Sequence, residues 1–195
     1  MIIALEIIAV VFALLYLFFA MQQNILCWYA AFISTFIYTV IYWDVSLYMQ
    51  SLLNIYYLLM AIYGWFSWKN KLEIDDNYVV AWSYKNHFIV ILIILFLTVI
   101  SGLFLKDTDA VYPFLDSFTT WASVITTFMV AQKVLSNWLF WVVINFIAIF
   151  LNFDRQLYFT VALLVSYQFI SIYGYYQWRK SYYCLLYTSD AADDP

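Results

Sequence analysis

Residues 62–68 read Ile62-Tyr63-Gly64-Trp65-Phe66-Ser67-Trp68, and residues 172–178 read Ile172-Tyr173-Gly174-Tyr175-Tyr176-Gln177-Trp178. The two stretches lie 110 positions apart, and a base follows each, Lys69 or Arg179. At that offset the match runs without a gap from Glu6 (Asp116) to Lys69. Identical pairs include Phe18/Phe128, Gln22/Gln132, Trp28/Trp138, Asp44/Asp154, Tyr48/Tyr158 and Tyr57/Tyr167. Two apolar helices can share Leu, Ile and Phe by chance. Shared Trp, Tyr, Gly, Gln and Asp are poor candidates for accident. The chain therefore reads as a duplicated unit, residues 3–68 and 114–178, with residues 87–105 between the copies.

Composition places both copies in lipid. Of 195 residues 67% are hydrophobic and 10% charged, at a mean hydropathy of +0.86. A water-soluble domain is about one-quarter charged, so this surface faces hydrocarbon. Polar breaks divide the chain into seven spans: Ile3–Met21, Leu26–Trp43, Ser46–Trp68, His87–Leu105, Phe114–Gln132, Asn137–Asn152 and Gln156–Trp178. Each is near the roughly 20 residues needed to cross a bilayer. The expected fold is an all-α membrane protein of seven transmembrane helices, in a 3+1+3 parallel-repeat bundle. The single connector turns the second triplet to run the same way as the first. Residues 181–195 end in Thr188-Ser189-Asp190-Ala191-Ala192-Asp193-Asp194-Pro195, lack periodicity and read as a non-native or disordered tail.

Basic residues set the expected orientation. Lys69, Lys71, Lys85, Lys133, Arg179 and Lys180 share one face, Lys106 and Arg155 the other. The first face is taken as cytoplasmic, with the N-terminus outside. No basic stretch precedes the first apolar run and no small-residue cleavage site follows it, which argues against a removed signal peptide.

Several functions are disfavoured. Eight basic residues make no nucleic-acid footprint, and Cys27 and Cys184 form neither a metal motif nor a disulfide framework. No nucleophile, base or metal cluster stands inside the spans, so no enzyme and no cofactor are expected. No Asp, Glu, Lys or Arg occupies the middle third of a span, where ion-driven carriers place them. Passive movement of a small molecule fits best.

Positions that break the repeat with polar or aromatic groups are candidate ligand contacts. Trp138, Trp141 and Asn145 share a helix face at i, i+3 and i+7, whereas the first copy carries Trp28, Ala31 and Thr35 there. Gln50, Asn54 and Tyr57 share a face of the third helix, opposite Thr160, Leu164 and Tyr167, and Gln168 aligns with Leu58. A buried unpaired amide costs several kcal/mol, so these amides need a partner; interhelical bonding, worth about 0.6 kcal/mol each, is the competing reading. Trp28, Trp43, Trp65, Trp68, Tyr175 and Trp178 read as interfacial belt anchors, and Gly64 and Gly174 as points of close helix packing.

The run Asn137-Trp138-Leu139-Phe140-Trp141-Val142-Val143-Ile144-Asn145 carries a W-x-x-W-x-x-x-N pattern. With the repeat ends at Ile62 to Trp68 and Trp178-Arg179-Lys180, it resembles the PnuC family of vitamin-precursor transporters, relatives of the SWEET sugar facilitators. The resemblance implies a homotrimer with one pathway per protomer in the inner membrane. It further implies vitamin B3 (NAD precursor) uptake: nicotinamide riboside enters by facilitated diffusion and is trapped by cytoplasmic phosphorylation. Trp138 and Trp141 would embrace the pyridinium ring, and Asn145 would bond the ligand's amide or ribose. Thiamine, also cationic and aromatic, and riboflavin are the alternatives within the family.

Overall fold

The computed structural model describes the backbone of residues 2–44, 48–72, 79–107, 112–154 and 158–192. Side chains are described for these except residues 2–4, 42, 48–50, 71–72, 159–160 and 185–192. Helices α1 (Ile2–Met21), α2 (Leu26–Asp44), α3 (Tyr48–Leu72), α4 (Tyr84–Leu105), α5 (Pro113–Ala131), α6 (Asn137–Asp154) and α7 (Tyr158–Ala192) follow in order. A helix closes its own backbone hydrogen bonds, which a hydrocarbon surrounding requires. Three helices, α4, α5 and α6, are each long and apolar enough to cross a membrane, and α1 and α2 hold shorter apolar stretches, Leu5–Met21 and Leu26–Ile41.

Boundaries move for local reasons. α4 begins three residues before His87 because Ser83 caps it, its side chain accepting from the Asn86 amide. Pro113, whose missing N–H is harmless in a first turn, opens α5. α7 continues to Ala192, well past Trp178. No Pro or Gly interrupts the chain between Gly174 and Pro195, so helix runs through most of the stretch expected to be an aperiodic tail.

The α1–α2 and α5–α6 turns repeat each other bond for bond. Gln23 N donates to Ala20 O (3.0 Å) and Asn24 N to Phe19 O (2.9 Å); Lys133 N donates to Val130 O (2.9 Å) and Val134 N to Met129 O (3.0 Å). Gln23 and Lys133 both take a left-handed backbone, at φ 58 and φ 54. A side chain pays roughly 1–2 kcal/mol for that conformation. Here the two strained residues support each other: Lys133 Nζ donates to Gln23 Oε1 at 3.5 Å, and Gln23 Nε2 to Ser181 Oγ at 2.9 Å. Lys133, grouped above with the loop cations, is fully buried and stands 4.8 Å above the Trp68 ring.

A chain of four indoles runs through the core at this end. Trp28 meets Trp68 edge-on at 5.4 Å, Trp68 meets Trp178 at 5.9 Å, and Trp178 meets Trp138 edge-on at 5.5 Å. Trp68 Nε1 donates to Val130 O (3.1 Å) and Trp178 Nε1 to Ala20 O (3.0 Å). This corrects the belt reading for Trp28, Trp68 and Trp178, which are 2%, 0% and 0% exposed. Trp43, at 64% exposed, has the exposure that reading requires. Gly64 and Gly174 permit the indole packing. A Cβ on Gly64 would strike the Trp28 ring, and one on Gly174 would lie 2.8 Å from the Trp138 ring. Contacts of α3 with α5 and of α1 with α7 join the two halves, and α4 packs on α5, where Trp121 Nε1 donates to Ser101 Oγ at 2.8 Å.

Candidate functional site

The site is built outward from α6, which the Lys133–Ser136 turn aims against α7. Trp138, one residue into that helix, is 2% exposed and packed between Gly174 and Trp178. Its Nε1 is buried without a hydrogen-bond partner, as is that of its counterpart Trp28. One turn on, Trp141 is half-buried and touches both apolar clusters of the core. Another turn brings Asn145, 5% exposed, whose Nδ2 donates to Ser171 Oγ at 3.2 Å. Ser171 Oγ in turn donates to the Tyr167 carbonyl at 2.9 Å.

Ser171 was not among the candidates from sequence. Its signal was present: Ser171 aligns with Ala61, so this end of the bond is polar in one copy alone, whereas Asn145 aligns with Thr35, an amide in place of a hydroxyl. In the first copy a cavity of about 360 Å³ between α2 and α3 is lined by Trp28, Tyr29, Phe32, Ala61, Ile62 and Trp65. Gln168 lies one turn before Ser171 on α7, and its Oε1 is buried with no partner. A carboxamide oxygen stranded in that way costs about 1–3 kcal/mol.

Of the α3 candidates, Tyr57 faces α5. Tyr57 is half-buried with its hydroxyl toward Ser123 of α5. Its neighbour Tyr56, not selected from sequence, donates to Val124 O at 2.8 Å. Asn54 is half-buried, one turn before Tyr57. The side chain of Gln50 lies outside the described residues. Among the described residues α3 packs on α2 and α5, and α6 on α5 and α7. Trp138, Trp141 and Asn145 thus lie on α6 and Gln168 on α7, whereas Tyr57 turns to α5, and among the described residues α3 and α6 make no direct contact. A second cavity, about 290 Å³ between α4, α5 and α6, is wholly apolar and includes none of these residues. No group of His, Cys, Asp and Glu suited to a metal occurs among the described residues.

The family model for the nicotinamide mononucleotide transporter matches residues 3–180. The chain belongs to that family. This nicotinamide mononucleotide transporter family member is 22% identical over 204 residues to the nicotinamide riboside transporter PnuC of Escherichia coli (strain K12). The match covers 90% of this chain and 85% of that relative, and the Shigella flexneri protein of the same name matches equally. Its fold is that of a crystal structure of the vitamin B3 transporter PnuC, at a TM-score of 0.71, 20% identity and coverage of 91% and 81%. The transporter family member is accordingly a multi-pass, all-helical membrane protein acting on a small molecule.

Proposed function

We propose that the protein imports nicotinamide riboside across the inner membrane by facilitated diffusion, with phosphorylation in the cytoplasm trapping the nucleoside. The family match over residues 3–180 carries this reading, and the relatives named for nicotinamide riboside support it. In this proposal the two triplets form a 3+1+3 parallel-repeat bundle, assembled as a homotrimer with the N-terminus outside and the C-terminus in the cytoplasm. Trp141 presents an aromatic face to the cationic pyridinium ring, an attraction of up to about 2 kcal/mol when desolvated. Trp138 forms the wall behind it. Asn145 and Gln168 bond the polar edge of the ligand, and Gln50, Asn54 and Tyr57 line its route from the α3 side.

Purified protein in liposomes, with sodium and proton gradients dissipated, should equilibrate labelled nicotinamide riboside across the membrane. Uptake that needs either gradient would overturn facilitated diffusion, and calorimetric binding of thiamine in place of nicotinamide riboside would overturn the substrate.

A further inference from the structure

The bond between Asn145 and Ser171 has a direction. Ser171 gives its only hydroxyl hydrogen to the Tyr167 carbonyl at 2.9 Å. Toward Asn145 it is therefore an acceptor, and the Asn145 group 3.2 Å away is the NH2 end of the amide. Reversing that amide would set its oxygen against a serine oxygen with no hydrogen left to share. Orientation is thus fixed by a partner on α7. Both residues are 5% exposed, so water offers little competition. One turn earlier on α7, the Gln168 Oε1 is a buried acceptor awaiting a donor.

We infer that Ser171 is a positioning residue that locks Asn145 with its carbonyl oxygen toward the ligand, so that Asn145 and Gln168 together select a substrate bearing an uncharged carboxamide NH2 over its carboxylate analogue. This rests on the placement of the ligand at the α6–α7 face proposed above. A carboxamide supplies two N–H donors, one for the unpartnered Gln168 Oε1 and one for the Asn145 Oδ1. A carboxylate supplies none and adds a negative charge beside two carbonyl dipoles. A site whose buried polar groups go unpaired with the wrong ligand discriminates strongly. Ser171→Ala removes the lock and frees the Asn145 amide to rotate, which opens its NH2 to a carboxylate.

The experiment is binding and uptake of nicotinamide riboside and of nicotinic acid riboside by the full chain in liposomes. Wild type should prefer the carboxamide by at least about 100-fold, and Ser171→Ala should narrow that ratio about tenfold or more, an amount equivalent to one charge-assisted hydrogen bond. Ser171→Thr, whose hydroxyl reaches the same carbonyl, should restore it. Monodisperse elution of each variant separates the effect from unfolding. A wild type that accepts both ligands equally, or a Ser171→Ala ratio unchanged from wild type, overturns the inference. If Trp141→Ala and Asn145→Ala leave uptake of both ligands intact, the α6–α7 placement itself fails.

Discussion

The indole Nε1 of Trp178 donates to the backbone oxygen of Ala20 across 3.0 Å, tying the last helix to the end of the first. Trp68 makes the equivalent bond to Val130 at 3.1 Å, with donor and acceptor both displaced by 110 residues. Both donors are fully buried. Two widely separated parts of the chain have thus kept one solution for joining a helix end to an indole.

Each carbonyl also accepts a backbone N–H, from Gln23 or from Lys133, so removing the indole bond costs only its net worth, about 1 kcal/mol. Trp68→Phe and Trp178→Phe should therefore lower the thermal midpoint of the detergent-solubilised protein by similar amounts. A large drop in one with none in the other would mean that the two bonds are not equivalent.

Gly174→Ala places a methyl 2.8 Å from the Trp138 ring, tighter than any ordinary carbon contact. Overpacking of this kind costs about 1–3 kcal/mol. The variant should unfold at lower temperature, and the same Gly174→Ala change should cost less when made in a Trp138→Leu background, where the ring it strikes is gone. An equal cost in both backgrounds would place the clash elsewhere.

Trp138 and Trp141 should separate by readout. Trp138 is a buried neighbour of Trp178, and its truncation to Ala is expected to cost about 3–5 kcal/mol and yield aggregated protein. Trp141 is half-buried, and Trp141→Ala should elute as a folded protein that has lost uptake. Normal uptake by the second variant removes its ring from the site.

His87 joins α4 to the start of α6. Its Nδ1 donates to the Ser83 carbonyl (2.9 Å), which leaves the neutral ring's Nε2 to accept from Ser136 Oγ (2.7 Å). Its ring also stacks on Phe140 at 6.4 Å. His87→Phe should preserve the stacking and lose about 1 kcal/mol from the hydrogen bonds. His87→Ala should lose more. Equal stability of the two variants would show that the ring contact contributes nothing.

Much of this is legible in the sequence. Among the described residues seven helices cover the expected spans, with shifted ends, because a span needs apolar length and a break needs polar residues, and both are local properties. Gly64 and Gly174 were legible as close-packing points because a glycine shared by two long helices has few other uses. Lys133 was misjudged for a local reason as well. It stands in a turn, where a lysine is ordinarily solvated, and its burial follows from Gln23, Trp68 and a left-handed turn brought together from distant segments. Ser171 was missed because a lone serine in an apolar helix ordinarily bonds only its own preceding turn.

From its sequence alone this protein was determined to be a helical membrane protein with internal matches 110 residues apart and aromatic and amide groups spaced along helix faces. Helical period gives which residues share a face, but not what that face meets. Only the tertiary structure decided that Trp28, Trp68 and Trp178 point inward to one another while Trp43 points out. It also decided that Asn145 spends its NH2 on Ser171, and that Gln23 reaches Ser181 from 158 residues away. Partners across such distances are chosen by which helices pack together, and no spacing along the chain encodes that choice directly.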